Sequence, residues 1–571
     1  MSLQRLLVTD FSFGQVSPRF AGKITTEIRT RAVEHIGGFV LNPDGGLRRR
    51  RGSVYVRDGV GITPTTNRLY DSDGVPSFAI YRSGTNRRLG FIQDSPRAWL
   101  SEQLPGTVTQ SITDASLEAG KPLGSTRSFY DVETAAEHIH FWTDDDAFSI
   151  DISTLTSLSR LSLLDLAAVH QGRLLSVRRD NGHINMSEVQ DFFDFVDDED
   201  LNKPLTAIAD FAGIETPKWI AARQSVYVGT DEAEYEVYSG FPVFSEELGG
   251  LMVRRITEIG TEEATYFGPS LAVRDISEIM LVNYAGEGFT YQAVGLTDRI
   301  DNNRLVHMEA VEFGTHRYLL ALDVDGTLWA YLSSPASGVD GWVTLATDIG
   351  WVWTYNKDVY VAVERDGAYS VEVLPLDELS HPGARTRRQD AMFYANDAYG
   401  DRGGFLTIDA SSLVGDELPP LTLVSLYDIN LTTKVSGYVD DIATDASGDI
   451  AMTLTALQSL LGWTTGEKYL FAHQAEVYAT GTIRTLPLGG IIGAMSRIAY
   501  VILQVEHSSG AKVRVNGGTW EEHTTATPEN GVWKFRVEHA TDEEPRVEIA
   551  TVDQRPLGIY QILVEVDVGG V

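Results

Sequence analysis

Two histidines and a run of carboxylates are the residues of this 571-residue chain best spaced for chemistry. His138 and His140 lie two apart in a Glu-His-Ile-His-Phe-Trp stretch, so on a strand both imidazoles share one face, as a metal site requires. Asp144, Asp145 and Asp146 follow directly. With no further histidine nearby, a polar strand face running into an acidic hairpin is the favoured reading, and no metal is assigned there. The segment 188–200 packs seven carboxylates (Glu188, Asp191, Asp194, Asp197, Asp198, Glu199 and Asp200) around Phe192, Phe193 and Phe195. Calcium takes about six to eight oxygens. This segment, however, lacks the alternating acid-and-glycine spacing of a calcium loop, so an aromatic-anchored, solvated acidic loop is expected. Asp71-Ser-Asp-Gly74 and Asp323-Val-Asp-Gly326 carry only fragments of that spacing, and Asp-Gly is already accounted for by hairpin turns.

The sharpest basic feature is Arg48, Arg49, Arg50 and Arg51, four consecutive guanidinium groups after Asn42-Pro-Asp-Gly-Gly46. The turn delivers them into a strand starting near Ser53, where they point alternately to both faces. They could bind an acidic partner surface or a phosphate, or be used in carboxylate pairs inside the chain. Subunit or domain contacts are favoured over nucleic acid, and reversing the four charges is expected to impair assembly without unfolding the subunit. No nucleophile elbow, phosphate loop, His-Glu-x-x-His or dinucleotide fingerprint occurs. No carboxylate pair can be nominated for glycoside hydrolysis among so many acids. The chain is therefore read as having neither catalytic residues nor a cofactor.

Composition narrows the class. There are 46 basic and 80 acidic residues, net −34, the wrong sign for gripping phosphates. Residues 1–57 hold ten basic and four acidic residues, a net +6, so the remainder carries −40. Such asymmetry fits one end docking on an acidic neighbour, and equally pairing between domains. Zero cysteines exclude disulfides, thiolate metal sites and cysteine nucleophiles. The most apolar stretches, Leu488–Met495 and Ile498–Val505, are far shorter than the roughly 20 residues of a membrane span, so no stable span is expected.

The elements that must position these residues are mostly strands. Short alternating or β-branched runs are closed by tight-turn dipeptides: Asn181-Gly182, Asp325-Gly326, Asp366-Gly367 and Asn516-Gly517. Helical spacing is scarce, with candidates near Leu158–Val169, Asp445–Gly462 and Asn185–Phe195. A mainly β chain of this size must hide its strand edges, and the hairpin density over 65–395 suits propeller blades without a fixed-period signature. The alternation in Val501–Val505, Val513–Val515 and Ile559–Val566 points to a sandwich-like terminal module.

One run of motifs resembles a known family. Phe13-Gly-Gln-Val-Ser-Pro-Arg19, Gly22 and Asn42 through Ser53 resemble the opening of podovirus tail nozzle proteins, the tail tubular protein B or phage stabilisation family, although Arg51 stands where that family more often has proline. His170-Gln-Gly-Arg-Leu174, Ser187 and Asp191-Phe-Phe-Asp-Phe195 continue the likeness. So do Glu234–Val237, Glu258–Gly260, Gly268-Pro269, Ile279–Val282, Asp325–Leu328, Val359–Val361, Glu364-Arg365, Thr485–Pro487 and Arg555-Pro556. The resemblance implies an irregular β-propeller body (65–395) with a platform formed by the N- and C-terminal β-rich regions (1–64 and 396–571). It further implies homo-hexamers in a phage virion, stacked below an adaptor ring beside tail fibres, made in the host cytoplasm, and passing double-stranded DNA without sequence-specific binding. The rival expectation is a tail-associated receptor-binding protein or polysaccharide depolymerase.

Overall fold

The structure, a computed structural model, describes residues 2–58 except 22–24, the strands alone between 78 and 160, and most of 166–376. It also describes the strands alone between 392 and 472, then 481–487, 496–537, 545–552 and 555–568. The chain is mainly β and divides into two compact units. One holds residues 60–297 and 303–309; the other holds 1–59, 298–302 and 310–571.

The first unit is a succession of antiparallel meanders, each of four or five strands, at 78–113, 122–160, 166–208, 217–255 and 263–295. The first strands of the last three, Leu166–His170, Pro217–Ala222 and Glu263–Phe267, pack side by side. Their sheets bury both faces. Leu174, Val177, Ile184 and Met186 of one sheet meet Val226, Val228, Tyr235 and Val237 of the next. On the other side of that second sheet, Trp219 and Tyr227 meet Leu271, Val273 and Val282. Sheets buried on two faces with neighbouring first strands are the packing of a β-propeller. Gly229 is required here, because a Cβ at that position would lie 2.0 Å from the Trp219 indole.

The helix expectations are corrected, and Leu166–His170 shows the cause, being buried on both faces. Leu158–Arg160 and Leu166–His170 are strands, Ile450–Ala456 is a strand, and Asn185 belongs to the strand His183–Met186, which leads into bends. A strand apolar on both faces loses its alternation and imitates the spacing of a buried helix.

In the second unit, the meander Ile349–Tyr355, Asp358–Arg365 and Ala368–Leu374 gains a fourth strand, Val54–Asp58, from the other end of the sequence. The two chain ends are interwoven in one sheet. Ser2–Val8 pairs along its whole length with Gly558–Val568, Leu47–Arg49 pairs with Gly558 and Ile559, and His35–Gly37 pairs with Thr482–Arg484. This is the platform topology expected of the two terminal regions, and the unit also takes in residues 310–395 that had been expected in the body.

The long strand Ser496–Val515 turns a corner. Its first half pairs with Gly558–Val568 and its second with Val547–Thr551, and between them lie register shifts and His507 at φ 45°. Strands that switch sheets through bulges make the corners of sandwiches. The buried alternation through Val501, Leu503, Val505, Ala511, Val513 and Val515 keeps one face on the core throughout. The Asp325-Gly326 and Asn516-Gly517 turns are present, with Gly326 at φ 77° and Gly517 at φ 73°. Gly182 also has positive φ (64°), whereas Asn181 and Asp366-Gly367 lie outside the described residues.

Candidate functional site

The arginine strand is a joint inside the chain. Arg49 is fully buried, Arg50 and Arg51 are buried, and Arg48 is half-buried. The Asn42–Gly46 turn closes as its residue types require, with Gly45 at φ 84° and the Asp44 carboxylate accepting from the Gly46 amide at 3.0 Å. Beyond it, Leu47–Arg49 forms a strand between Phe39–Leu41 and Gly558-Ile559. Arg49 Nη1 donates to the Arg555 carbonyl at 2.7 Å, and its amide donates to the Leu557 carbonyl at 2.7 Å. Arg555 in turn donates from Nη1 to the Thr525 carbonyl at 2.6 Å. The Arg50 amide reaches the Gly38 carbonyl, and the Ser53 hydroxyl donates to the fully buried Glu372 carboxylate.

These contacts correct the expectation that all four charges can be reversed without unfolding the subunit. Three of the four residues are buried in the fold, and Arg48 is half-buried. A second joint joins the same ends. Buried Glu34 receives Arg484 at 2.9 Å and Arg546 at 2.8 Å on its two oxygens.

The acidic loop is assembled in part. Glu188, Asp191 and Asp194 bring carboxylate oxygens within 4.8 Å of one another, all half-buried, while Asp197, Asp198, Glu199 and Asp200 lie outside the described residues. Phe192 is buried, and Phe193 and Phe195 pack against the same core, so the loop is anchored by aromatics as expected. Residues noted apart in the sequence meet here. Arg173 Nη1 donates to the Ser187 carbonyl at 2.6 Å, Ser187 Oγ accepts from the Leu174 amide at 2.9 Å, and the Gln190 amide reaches the Gly172 carbonyl at 2.7 Å. Burial pulls the Arg173 guanidinium below its usual range, and the Glu188 carboxylate works against that shift. Three gathered carboxylates supply fewer oxygens than the roughly six to eight that calcium takes.

His138 and His140 do lie on one strand, Ala136–Thr143, paired with Asp151 and Ser149 respectively; their side chains lie outside the described residues.

Sequence reading missed a buried charged cluster. His307 Nδ1 lies 2.6 Å from Glu263 and Nε2 lies 3.6 Å from Glu309, while Arg274 Nε donates to Glu263 at 3.0 Å and its Nη1 to the Leu305 carbonyl. Burial disfavours the imidazolium, but the Glu263 and Glu309 carboxylates outweigh it and raise His307 to about 9. Burial likewise disfavours ionised Glu263, and His307 with Arg274 more than compensate, leaving that carboxyl below its usual range. The only signal in sequence was the two-residue spacing of His307 and Glu309 on one strand face.

No family model and no curated protein matches this chain. Among solved structures it is similar to BBS1N in complex with ARL6DN, at 9% identity and TM-score 0.38, covering 57% of this chain and all of that one. It is also similar to BamB from Moraxella catarrhalis, at 12% identity and TM-score 0.32, covering 60% of this chain and 96% of that one. A third is the computationally designed Ika8 protein, at 10% identity and TM-score 0.31, covering 68% and 99%.

Proposed function

We propose that the chain is a structural virion protein, the nozzle of a short-tailed phage tail, forming the lower part of the channel through which double-stranded DNA leaves. The observation that carries this reading is the weaving of both chain ends into one sheet, locked by Arg49 and Glu34, with the motif residues Asn42–Ser53, Thr485 and Arg555-Pro556 at the seams. A terminal platform built in this way frees the meander sheets to form the wall of a ring. In that ring, homo-hexameric and seated on the adaptor subunits, a chain of −34 gives the bore a negative field that keeps DNA from adhering. The chain acts without bond-breaking machinery or cofactor.

The test is a phage carrying a deletion of this gene. Particles that fill with DNA but leak it or fail to eject, with antibody labelling the tail tip in wild-type particles, support the proposal; normal ejection removes it. Incubation of the purified chain with host polysaccharide tests the rival, and new reducing ends would move the assignment to a depolymerase.

A further inference from the structure

Among the described residues, two outer strands of the terminal sheet have compatible directions. Its strands lie in the order Glu521–Arg536, Ser496–Val515, Gly558–Val568, Ser2–Val8, each antiparallel to the next. Phe535, Val501 and Val564 form one row on the core face, with Leu6 at the same register; Trp533, Leu503 and Ile562 form another, with Val8. Among the described residues, Glu521–Arg536 pairs only with Ser496–Val515, and Ser2–Val8 only with Gly558–Val568. Three antiparallel steps separate these outer strands, so they run antiparallel to each other. A translated or rotated copy can therefore lay its Ser2–Val8 against Glu521–Arg536 and continue the same alternation.

The edge strand is protected in one half and open in the other. Between Thr524 and Glu529 its register with the neighbouring strand breaks, and Pro528 falls within that excursion. A bulge and an edge proline are devices that discourage strand addition. Gly531–Arg536 has neither. It pairs regularly over six residues, close to the seven of Ser2–Val8. Lys534, the edge lysine that would otherwise repel an added strand, is engaged by Glu565 at 3.0 Å and lies 4.0 Å above the Tyr500 ring. Val532 is 69% exposed, the most exposed large apolar side chain among the described residues. With Lys534 neutralised by Glu565, the occupant is set by fit: the chain's own Ser2–Val8 matches this half in direction and length and brings no acid and a single base, Arg5, so a second copy supplies the added strand.

We propose that copies of this chain associate head to tail by strand addition, Ser2–Val8 of one pairing antiparallel with Gly531–Arg536 of the next, so that the terminal sheet runs continuously through the assembly. Different edges meet at this contact, so it repeats from copy to copy and closes into a ring when the rotation permits. The choice of a second copy as partner rests on the ring assembly proposed above.

The absence of cysteine makes the test clean. The double variant Arg5→Cys/Val532→Cys of the full chain, treated with a short bis-maleimide, is expected to give a ladder of dimers, trimers and larger species, while each single variant stays uncross-linked. Monomers alone from the double variant overturn the proposal. So do dimers from Val532→Cys alone, which would mean that the edge pairs with itself. Independently, Val532→Asp is expected to lower the mass seen by light scattering with unchanged circular dichroism and melting temperature; an unchanged mass counts against the contact. Failure of the ladder leaves the tail role standing, and a phage that ejects normally without the chain removes the tail role but leaves the ladder.

Discussion

At the scale of single residues, His307 ties a titration to stability. Its folded value of about 9 lies above the ordinary 6.5, so the stabilisation from its pairing is complete below pH about 6.5 and is lost as pH rises through about 9. Melting temperature measured from pH 6 to 10 should fall over that window, and His307→Gln should flatten the fall; an equal fall in both proteins would refute the assignment. Glu263→Gln leaves His307 and Arg274 without their shared carboxylate, and breaking a buried pair of this kind costs about 3 kcal/mol. Denaturant midpoints at pH 7 would measure that loss. Gly14 makes a different kind of demand. It sits at φ 66°, and a Cβ there would lie 2.5 Å from the Trp342 carbonyl oxygen. Gly14→Ala is therefore expected to destabilise the chain by more than about 2 kcal/mol, and a wild-type unfolding midpoint would contradict that geometry.

At the scale of elements, the strand Leu47–Arg49 and the residues after it separate side chains the sequence could not tell apart. Arg49→Ala removes the donor to the Arg555 carbonyl from a fully buried position and should cost about 2–3 kcal/mol. Arg48→Ala, at a half-buried position, should change stability by no more than about 0.5 kcal/mol. Equal losses in the two unfolding curves would show that the strand does not divide them in this way. Hairpins were legible because an Asn-Gly or Asp-Gly pair fixes its own turn, as Asn516-Gly517 and Asp325-Gly326 show. Strands buried on both faces were not, and Leu166–His170 took on helical spacing for that reason. The acidic loop was legible as aromatic-anchored, because Phe192 sits between carboxylates in the sequence itself. What no local pattern carries is a partner 506 residues away. Arg49 meeting Arg555, and Glu34 meeting Arg484 and Arg546, are consequences of the interwoven sheet and invisible before it.

At the scale of the whole molecule, charge sets how copies and DNA meet. A chain of −34 repels both a duplex and its own copies, and the repulsion acts over a screening length of about 10 Å at 0.1 M salt, falling to about 3 Å at 1 M. Strand addition at Gly531–Arg536 is short-ranged, made of backbone hydrogen bonds and the apolar contact of Val532, and is screened far less. Raising salt should therefore strengthen association of the full chain, the reverse of an interface held by opposite charges. Sedimentation velocity at 50 mM and 500 mM salt would measure it, with a shift to larger species expected at the higher concentration. The same field predicts no retardation of a DNA duplex in a mobility-shift assay at 50 mM salt, where a phosphate-gripping protein binds most tightly. A retarded duplex would mean that the basic residues near the amino terminus, and not the acidic body, govern what the molecule touches, and the low-friction wall would then have to be abandoned.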